Sequence, residues 1–193
     1  MSVLPIATVG DPVLRERAQE VAPEELRSPG VQRLIDDLIE TRRAAGGAGL
    51  AANQVSVTRR IAVVEVDEHT RYAYKPRVPL TVIVNPVIQP LSRERLLVNE
   101  GCLSVPDLRG DVERLVAVRV HYVDRGGNPR ELDAHGLTAG TFQHEVDHLD
   151  GVLFLDRVKD PRSFSTWEQF ARHHEQAFLR RIAPYAAPSA GAG

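Results

Sequence analysis

The sequence predicts an α+β fold, with antiparallel β-strands in the middle of the chain and helices towards both ends. Three observations indicate this order. Apolar residues recur at helical spacing between positions 31 and 39. Runs typical of β-strands, separated by turn residues, fill positions 61–132, and helical spacing returns from position 136. The middle of the chain is therefore expected to form sheet between helical ends.

The N-terminal part is predicted to be helical. Asp11 should cap a short turn that begins at Pro12, because a side-chain oxygen can accept from the free amides of a first helical turn. A longer amphipathic helix should follow over residues 23–43 and end at Gly46 and Gly47. Its apolar face consists of Val31, Leu34, Ile35, Leu38 and Ile39.

Strands are predicted over residues 61–66, 80–84, 95–98 and 115–123. Asn85 and Pro86 should close the second of these runs. The turn residues 124–128 should return the chain into a hairpin strand at 130–132. Residues 67–79 are expected to form a long exposed loop. The predicted sheet is therefore mostly antiparallel.

Two further helices are predicted after the strands. Apolar spacing indicates one over residues 136–149. A last helix should begin at Ser165, because Ser165 and Glu168 form a capping-box pattern, and it should run to about Ile182. We expect a single domain over residues 1–183, followed by a flexible tail of alanine, proline, glycine and serine over residues 184–193.

The composition is typical of one soluble domain, with 193 residues, of which 42% are hydrophobic and 26% charged. A core of this size needs no stapling metal, so a metal here would serve chemistry. The net charge of -2 gives no basic field for duplex DNA. No segment has the length of a membrane span or the pattern of a signal peptide. With Cys102 as the single cysteine, we expect a cytoplasmic protein.

The most informative stretch contains the pattern H-E-x-x-H. His144 and His148 are four residues apart, so on a helix they lie on one face and can bind one metal ion, with Glu145 beside the first ligand. A catalytic metal site usually has three protein ligands and one open position. Because so short a pattern also arises by chance, two solvated surface histidines are the alternative interpretation.

The third ligand stays open on this pattern alone. One class of metalloprotease has a histidine six residues after the second ligand, but here that position is Phe154. Asp150 and Asp156 have acceptable spacing but lie at or beyond the predicted end of the helix. Cys102 is the other candidate, within the run EGCLS at residues 100–104. A lone cysteine is more often a small buried hydrophobic residue.

A glycine-rich segment, GAGLAANQ at residues 47–54, is the remaining feature that suggests chemistry. It matches a variant of the dinucleotide-binding pattern, but that pattern must follow a strand, and this segment follows an amphipathic helix. It also does not end in the Gly-Lys-Ser/Thr of a phosphate-binding loop. Nucleotide binding is therefore rejected, and a flexible connector is the simplest alternative.

Together these segments resemble the three motifs of the peptide deformylase family, in the same order and spacing over about residues 3–160: residues 47–54, residues 100–104 and residues 143–151. The resemblance implies antiparallel β-sheets packed around a central metal-binding helix, with N-terminal and C-terminal helices. It also implies that the cofactor is one divalent metal ion. Its ligands would be Cys102, His144 and His148. The family ion is typically Fe²⁺, often replaced by Zn²⁺, Ni²⁺ or Co²⁺ in purified protein, and these ligands suit several of them.

The resemblance further implies hydrolytic removal of the formyl group from the N-terminal formyl-methionine of newly made polypeptides. The metal lowers the pKa of its bound water, so that hydroxide can attack near neutral pH. Glu145 would act as general base and then as general acid. The side-chain amide of Gln54 and the backbone N–H of Leu103 would stabilise charge on the former carbonyl oxygen. The peptide would pair as an added strand near Gly49 and Gly101.

By the same resemblance, the substrate's methionine side chain would enter a pocket built from Ala48, Val98, Leu137, Gly140 and Thr141. Ala48 and Gly140 stand where larger aliphatic side chains are common in the family. The pocket is therefore expected to be wider, with a weaker preference for methionine, or to be filled by another group.

Four charged residues are expected to support the site. Glu100 and Asp147 could orient metal ligands or pair with Arg114. Arg109 aligns with a family arginine near the substrate and is expected to contact it. For Glu100, Asp147 and Arg114, the alternative interpretation is a solvated pair of charges.

The expected partners are N-formylated nascent peptides and, through the C-terminal helix, the ribosome surface; no DNA or membrane partner is expected. Two alternative functions stay open. One is an amidase of the same fold that acts on a different N-acyl substrate. The other is a non-catalytic metal-binding or ribosome-interacting protein. Glu145 and Gln54 argue against the second, because a binding module needs neither a proton shuttle nor an oxyanion donor.

Overall fold

A computed structural model describes residues 2–67 and 70–186. The helices are α1 (Pro23–Leu26), α2 (Pro29–Ala45), α3 (Gly136–Leu149), α4 (Trp167–His173) and α5 (Glu175–Ile182). The strands are β1 (Gly49–Ala51), β2 (Ile61–Val66), β3 (Val78–Pro90), β4 (Arg95–Cys102), β5 (Val105–Leu115), β6 (Ala117–Val123), β7 (Pro129–His135) and β8 (Ser165–Thr166). Short 3-10 turns connect several of these elements. None of the helices in the described residues could cross a membrane.

The strands form two sheets, and all neighbouring strands in them are antiparallel. The larger sheet has the order β1-β2-β3-β6-β7, and the smaller has the order β4-β5-β8. Helix α3 packs against strands of both sheets. Phe142, Val146 and Leu149 of α3 join the core over the larger sheet, whereas Leu137 packs with β4 and the C-terminal helices. The predicted α+β fold, with antiparallel sheets around a central helix, is confirmed.

The N-terminal helical region differs from the prediction in one respect. The turn at Pro12–Arg15 forms as expected, with the Asp11 carboxylate accepting from the amide of Val13. The helix predicted over residues 23–43 is two helices, because Ser28 starts a second one by accepting from Val31 N, and Pro29 occupies its first position. Helix α2 ends where expected, at Gly46 in the left-handed conformation.

Strand β2 has the predicted bounds and β6 begins two residues later than predicted, whereas β3, β4 and β7 are longer than predicted. Strand β3 continues past residues 85–86 because Asn85 adopts a left-handed φ of 51°, and the pairing with β6 shifts register between Val84 and Val87. A bulge absorbs the asparagine and the proline, so the strand does not end there. Strand β4 reaches Cys102, and β5 was not predicted. The hairpin that joins β6 to β7 is confirmed.

The C-terminal region begins one residue later than predicted and is broken. Thr166 caps α4 by accepting from Gln169 N, and Ser165 belongs to β8. The chain leaves helical geometry at His174, so two short helices replace one. A 3-10 turn then covers Ala183–Tyr185, and the rest of the predicted flexible tail, residues 187–193, lies outside the described residues.

The segment predicted as an exposed loop, which we call the 70–77 loop, folds onto the rest of the domain. Tyr72 is buried, and its ring lies 5.7 Å from that of Trp167. Tyr74 makes an edge-to-face contact with Phe178, with ring centroids 5.2 Å apart. Helices α4 and α5 therefore hold this loop in place.

Candidate metal centre and active site

The three candidate metal ligands meet where the smaller sheet faces α3. Cys102 ends β4, and α3 carries His144 and His148 on one face. The ligand atoms of the three residues all lie within 4.8 Å of one another. The other acids considered are engaged elsewhere: Asp150 accepts from Arg60 at 2.7 Å, and Asp156 accepts from the amide of Leu153 at 2.8 Å. The structure therefore brings the cysteine to the histidines.

This donor set fits one divalent ion. Metal bonds of about 2.0–2.3 Å in tetrahedral geometry place two donors about 3.3–3.8 Å apart. Cys102 Sγ and His148 Nε2 are 3.2 Å apart, close to that range. Burial lowers the pKa of His148, which keeps its imidazole neutral and able to bind a metal. One thiolate and two imidazoles suit Zn²⁺, Fe²⁺, Co²⁺ or Ni²⁺.

A buried charge network orients the first histidine. His144 Nδ1 donates to Glu100 Oε2 at 2.9 Å, which leaves Nε2 for a metal. Arg114 donates to both oxygens of Glu100 at 2.7 and 2.9 Å and to Asp147 at 2.6 Å. Burial would raise the pKa of Glu100, but the Arg114 guanidinium and the hydrogen bonds hold it well below its usual range. Glu100 therefore stays ionised and fixes the imidazole.

Glu145 explains why residue 49 is a glycine. A Cβ at Gly49 would overlap the carboxylate of Glu145, so this glycine makes room for the catalytic candidate. Glu145 Oε2 is buried, and no residue in the described part of the chain hydrogen-bonds it. Burial raises the pKa of Glu145 to about 7. A carboxylate in this state can both take and return a proton near neutral pH.

The amide of Gln54 is held beside the cysteine. Its Oε1 accepts from the backbone of Ala51 at 2.9 Å, which fixes the orientation of the side chain. Its Nε2 donates to Ser104 Oγ at 3.0 Å and lies 3.6 Å from Cys102 Sγ. Leu103 and Ser104 form the two-residue turn between β4 and β5. Both predicted oxyanion donors therefore belong to segments next to the metal ligands.

One cavity collects most of the residues that the sequence singled out. Those that line it are Ala48, Gly49, Gln54, Val98, Gly101, Cys102, Leu103, Leu137, Gly140, Thr141, His144 and Glu145. His148 lies deeper, as a buried ligand. Metal ligands, proton acceptor and pocket residues thus open onto the same space.

Arg109 does not line this cavity. It is fully buried, and its guanidinium donates to the side chain and backbone of Asn99 at 2.7 and 2.9 Å. It also donates to Tyr74 Oη at 3.1 Å and stacks 4.0 Å from the ring centroid of Trp167. In the structure Arg109 therefore supports the cavity wall from behind, whereas the resemblance implied that it contacts the substrate.

The sequence reasoning missed four residues of the cavity: Asn99 of β4, and Tyr72, Tyr74 and Lys75 of the 70–77 loop. Lys75 Nζ donates to Thr141 Oγ1 at 2.8 Å, and burial lowers the pKa of Lys75 to about 8. No motif marks these positions. The available signal was two tyrosines and a lysine within four residues of a segment otherwise expected in solvent.

The fold and the site define a class of protein. The cavity joins three features: a thiolate-imidazole metal site, a buried carboxylate without a partner among the described residues, and a fixed amide donor. This combination is typical of a metal-dependent hydrolase that acts on a carbonyl group. Residues 3–164 match the family model described as "Polypeptide deformylase". The chain therefore belongs to the peptide deformylase family, a family of metalloenzymes.

Relatives and solved structures agree with this assignment. A peptide deformylase of Leptospira biflexa is 41% identical over 165 residues, which cover 85% of this chain and 92% of the relative. "Peptide deformylase 1A, chloroplastic/mitochondrial" of Arabidopsis thaliana is 45% identical over 83% of this chain and 63% of its own length. A Met-Ala-Ser-bound structure of a class I type b peptide deformylase from Acinetobacter baumannii has a TM-score of 0.78 at 42% identity, over 82% of this chain and 100% of that chain.

Proposed function

We propose that this chain, acting as a single catalytic domain over residues 1–183, removes the formyl group from the N-terminal formyl-methionine of newly made polypeptides. The observation that carries this proposal is the buried carboxylate of Glu145, whose Oε2 has no hydrogen-bond partner among the described residues, beside three clustered metal ligands. Family membership gives the reaction class. The position of Glu145 allows it to carry the proton in that reaction.

The chemistry divides between the ion and the protein. Cys102, His144 and His148 would hold a divalent ion, which when bound would lower the pKa of the attacking water. Glu145 takes the proton from this water and passes it to the amine that leaves as the carbon–nitrogen bond breaks, so that formate and a free N-terminus result. Its pKa, raised by burial to about 7, suits both transfers.

Gln54 and Leu103 stabilise the charge that develops on the formyl oxygen. Gln54 Nε2 carries two hydrogens: one donates to Ser104 Oγ, and the other makes a weak contact with Cys102 Sγ at 3.6 Å that the formyl oxygen can replace. The orientation is fixed before substrate arrives, because Oε1 is held by the Ala51 amide. Donors that need no rearrangement are the effective ones in such a site.

The substrate backbone binds between the two sheets. Strand β1 is the edge of the larger sheet and β4 is the edge of the smaller sheet. Gly49 in β1 and Gly101 in β4 both line the cavity. An extended peptide can therefore pair with these edges as an added strand. This arrangement suits an unfolded N-terminus that leaves the ribosome.

We infer that Fe²⁺ is the working ion, with Zn²⁺, Ni²⁺ or Co²⁺ able to replace it. A thiolate ligand is open to oxidation, which favours a reducing compartment such as the cytoplasm. The substrates are N-formylated nascent peptides. Contact with the ribosome would use the exposed Arg180 and Arg181 of α5, since the apolar face of this helix packs on the domain.

Formate release from formyl-Met-Ala-Ser tests the function, with protein prepared without oxygen and loaded with Fe²⁺. We expect Glu145→Gln to lower kcat by about 100- to 10,000-fold while the metal content is unchanged, because only the proton carrier is lost. Glu131→Gln makes the same change on an exposed strand and should leave kcat unchanged. Full activity in Glu145→Gln would exclude the role given to Glu145.

A further inference from the structure

The pocket expected to hold the first side chain of the substrate contains a lysine. Lys75 lines the same cavity as Val98, Leu137 and Gly140. Its ammonium donates to Thr141 Oγ1 at 2.8 Å. Thr141 lies three residues before the ligand His144 on α3, so about one helical turn separates the anchor of this cation from the metal centre. An apolar pocket for methionine would not need such a group.

The ammonium has capacity to bind a ligand. Thr141 Oγ1 donates its hydrogen to the carbonyl of Leu137 at 3.1 Å, so it accepts from Lys75. This bond occupies one of the three N–H groups of the ammonium. The face of the Tyr72 ring, with its centroid 4.9 Å from Nζ, receives the cation on another side. In the described parts of the chain, no carboxylate forms an ion pair with Lys75. One N–H therefore stays available for an acceptor in the pocket.

Small residues leave room for a side chain in the same cavity as this cation. Ala48 and Gly140 are both small, and a Cβ at Gly140 would find its nearest neighbour at 3.7 Å, in the aliphatic part of Arg114. The cavity thus combines apolar and small wall residues with a charged donor. Unbranched side chains with an acceptor near their end match this combination.

We propose that Lys75 makes the enzyme prefer N-formyl peptides whose first side chain carries an oxygen on its δ atom, as methionine sulfoxide and glutamine do. This inference rests on the proposed deformylase function. A charged donor forms a strong hydrogen bond with such an oxygen. Methionine offers only a weakly accepting sulfur, so it gives the remaining N–H of the ammonium a poorer partner. A site that hydrogen-bonds a polar group of its substrate discriminates against analogues that lack this group.

The test compares kcat/KM for four peptides that differ only in the first residue: formyl-methionine sulfoxide, formyl-methionine, formyl-glutamine and formyl-norleucine, each followed by Ala-Ser. We expect the sulfoxide-to-methionine and glutamine-to-norleucine ratios to exceed one in the unmodified enzyme. Both should fall at least tenfold in Lys75→Met, which keeps the length of the side chain, and fall less in Thr141→Val. A tenfold change corresponds to about 1.4 kcal/mol.

Lys159→Met is the matched control, because Lys159 is the only other lysine and pairs with Glu113 on the surface. It should leave all four rates unchanged. If Lys75→Met raises all rates equally, the lysine only narrows the pocket and the inference is wrong. If the sulfoxide is preferred over methionine but glutamine is not preferred over norleucine, the pocket recognises oxidised methionine specifically. Absence of formate from every peptide would instead overturn the deformylase function itself.

Discussion

Two sides of the active-site cavity are built in different ways. On the metal side, buried charges meet in pairs: Arg114 joins Glu100 and Asp147, and Glu100 holds His144. On the pocket side, the 70–77 loop is held by aromatic contacts, and within the described residues the cation of Lys75 has a hydroxyl and a ring as its partners. The difference shows how reaction and specificity can be separated. A loop can change the pocket without disturbing the network that fixes the metal.

Cys102→Ser is the strongest way to break the metal side. Serine keeps the size of cysteine but is not an anionic ligand near neutral pH, so the site loses one of three donors. We expect loss of bound metal and a fall in deformylase activity of at least about a thousandfold, since the ion contributes several kcal/mol to the transition state. Metal analysis and formate release measure both. An unchanged circular dichroism spectrum would show that the fold is intact, whereas retained metal at full occupancy would contradict the ligand assignment.

Arg114→Met tests whether ion pairs between buried charges stabilise the metal side of the cavity. Removal of the guanidinium leaves Glu100 and Asp147 as buried carboxylates that have lost their shared partner. We expect the free energy of unfolding to fall by about 3–5 kcal/mol in urea denaturation. Arg119→Met removes an arginine from an exposed pair with Asp133 and should leave stability nearly unchanged. Similar losses in the two variants would contradict the role given to burial.

The contrast between the two sides also explains what sequence reasoning could reach. His144 and His148 could be paired because their positions on one helix face follow from their spacing alone, and three short motifs in order supplied Cys102. The 70–77 loop could not be placed, because Tyr72 is fixed by Trp167, which lies far along the chain. Likewise, β3 was predicted too short because only the pairing with β6 reveals that Asn85 sits in a bulge.

Gly49→Ala is expected to act at the boundary of the two sides. The new Cβ would collide with the carboxylate of Glu145 and displace it. A misplaced catalytic group costs about 100-fold in rate, so we expect a fall of about this size in kcat with unchanged metal content. Gly30→Ala is the control, because nothing lies within 4 Å of a Cβ built there. Equal activity of Gly49→Ala and the unmodified enzyme would show that Glu145 can act from another position.

Titration of Lys75 tests whether its ammonium is buried on the pocket side of the cavity. Burial lowers its pKa to about 8, with Arg109 and Arg114 lowering it further and Glu100 and Glu145 opposing them. In metal-free protein with ¹³C-labelled lysine, we expect one Cε resonance to titrate near pH 8 and to disappear in Lys75→Met. The unfolded chain binds more protons between pH 8 and pH 10.5, so this group makes stability rise with pH in that window. A midpoint near 10.5 would show that Lys75 points to solvent.

Gly140→Ala should have the smallest effect and separates the pocket's shape from its charge. Glycine inside a helix costs about 1 kcal/mol relative to alanine, and a Cβ here meets its nearest neighbour at an ordinary 3.7 Å. We therefore expect the free energy of unfolding to rise by about 1 kcal/mol, or Tm by about 2–4 °C. Because the added methyl narrows the pocket without touching Lys75, formyl-methionine and its sulfoxide should slow by the same factor. A change in their ratio would mean that pocket width, and not the cation, sets the preference for the first side chain.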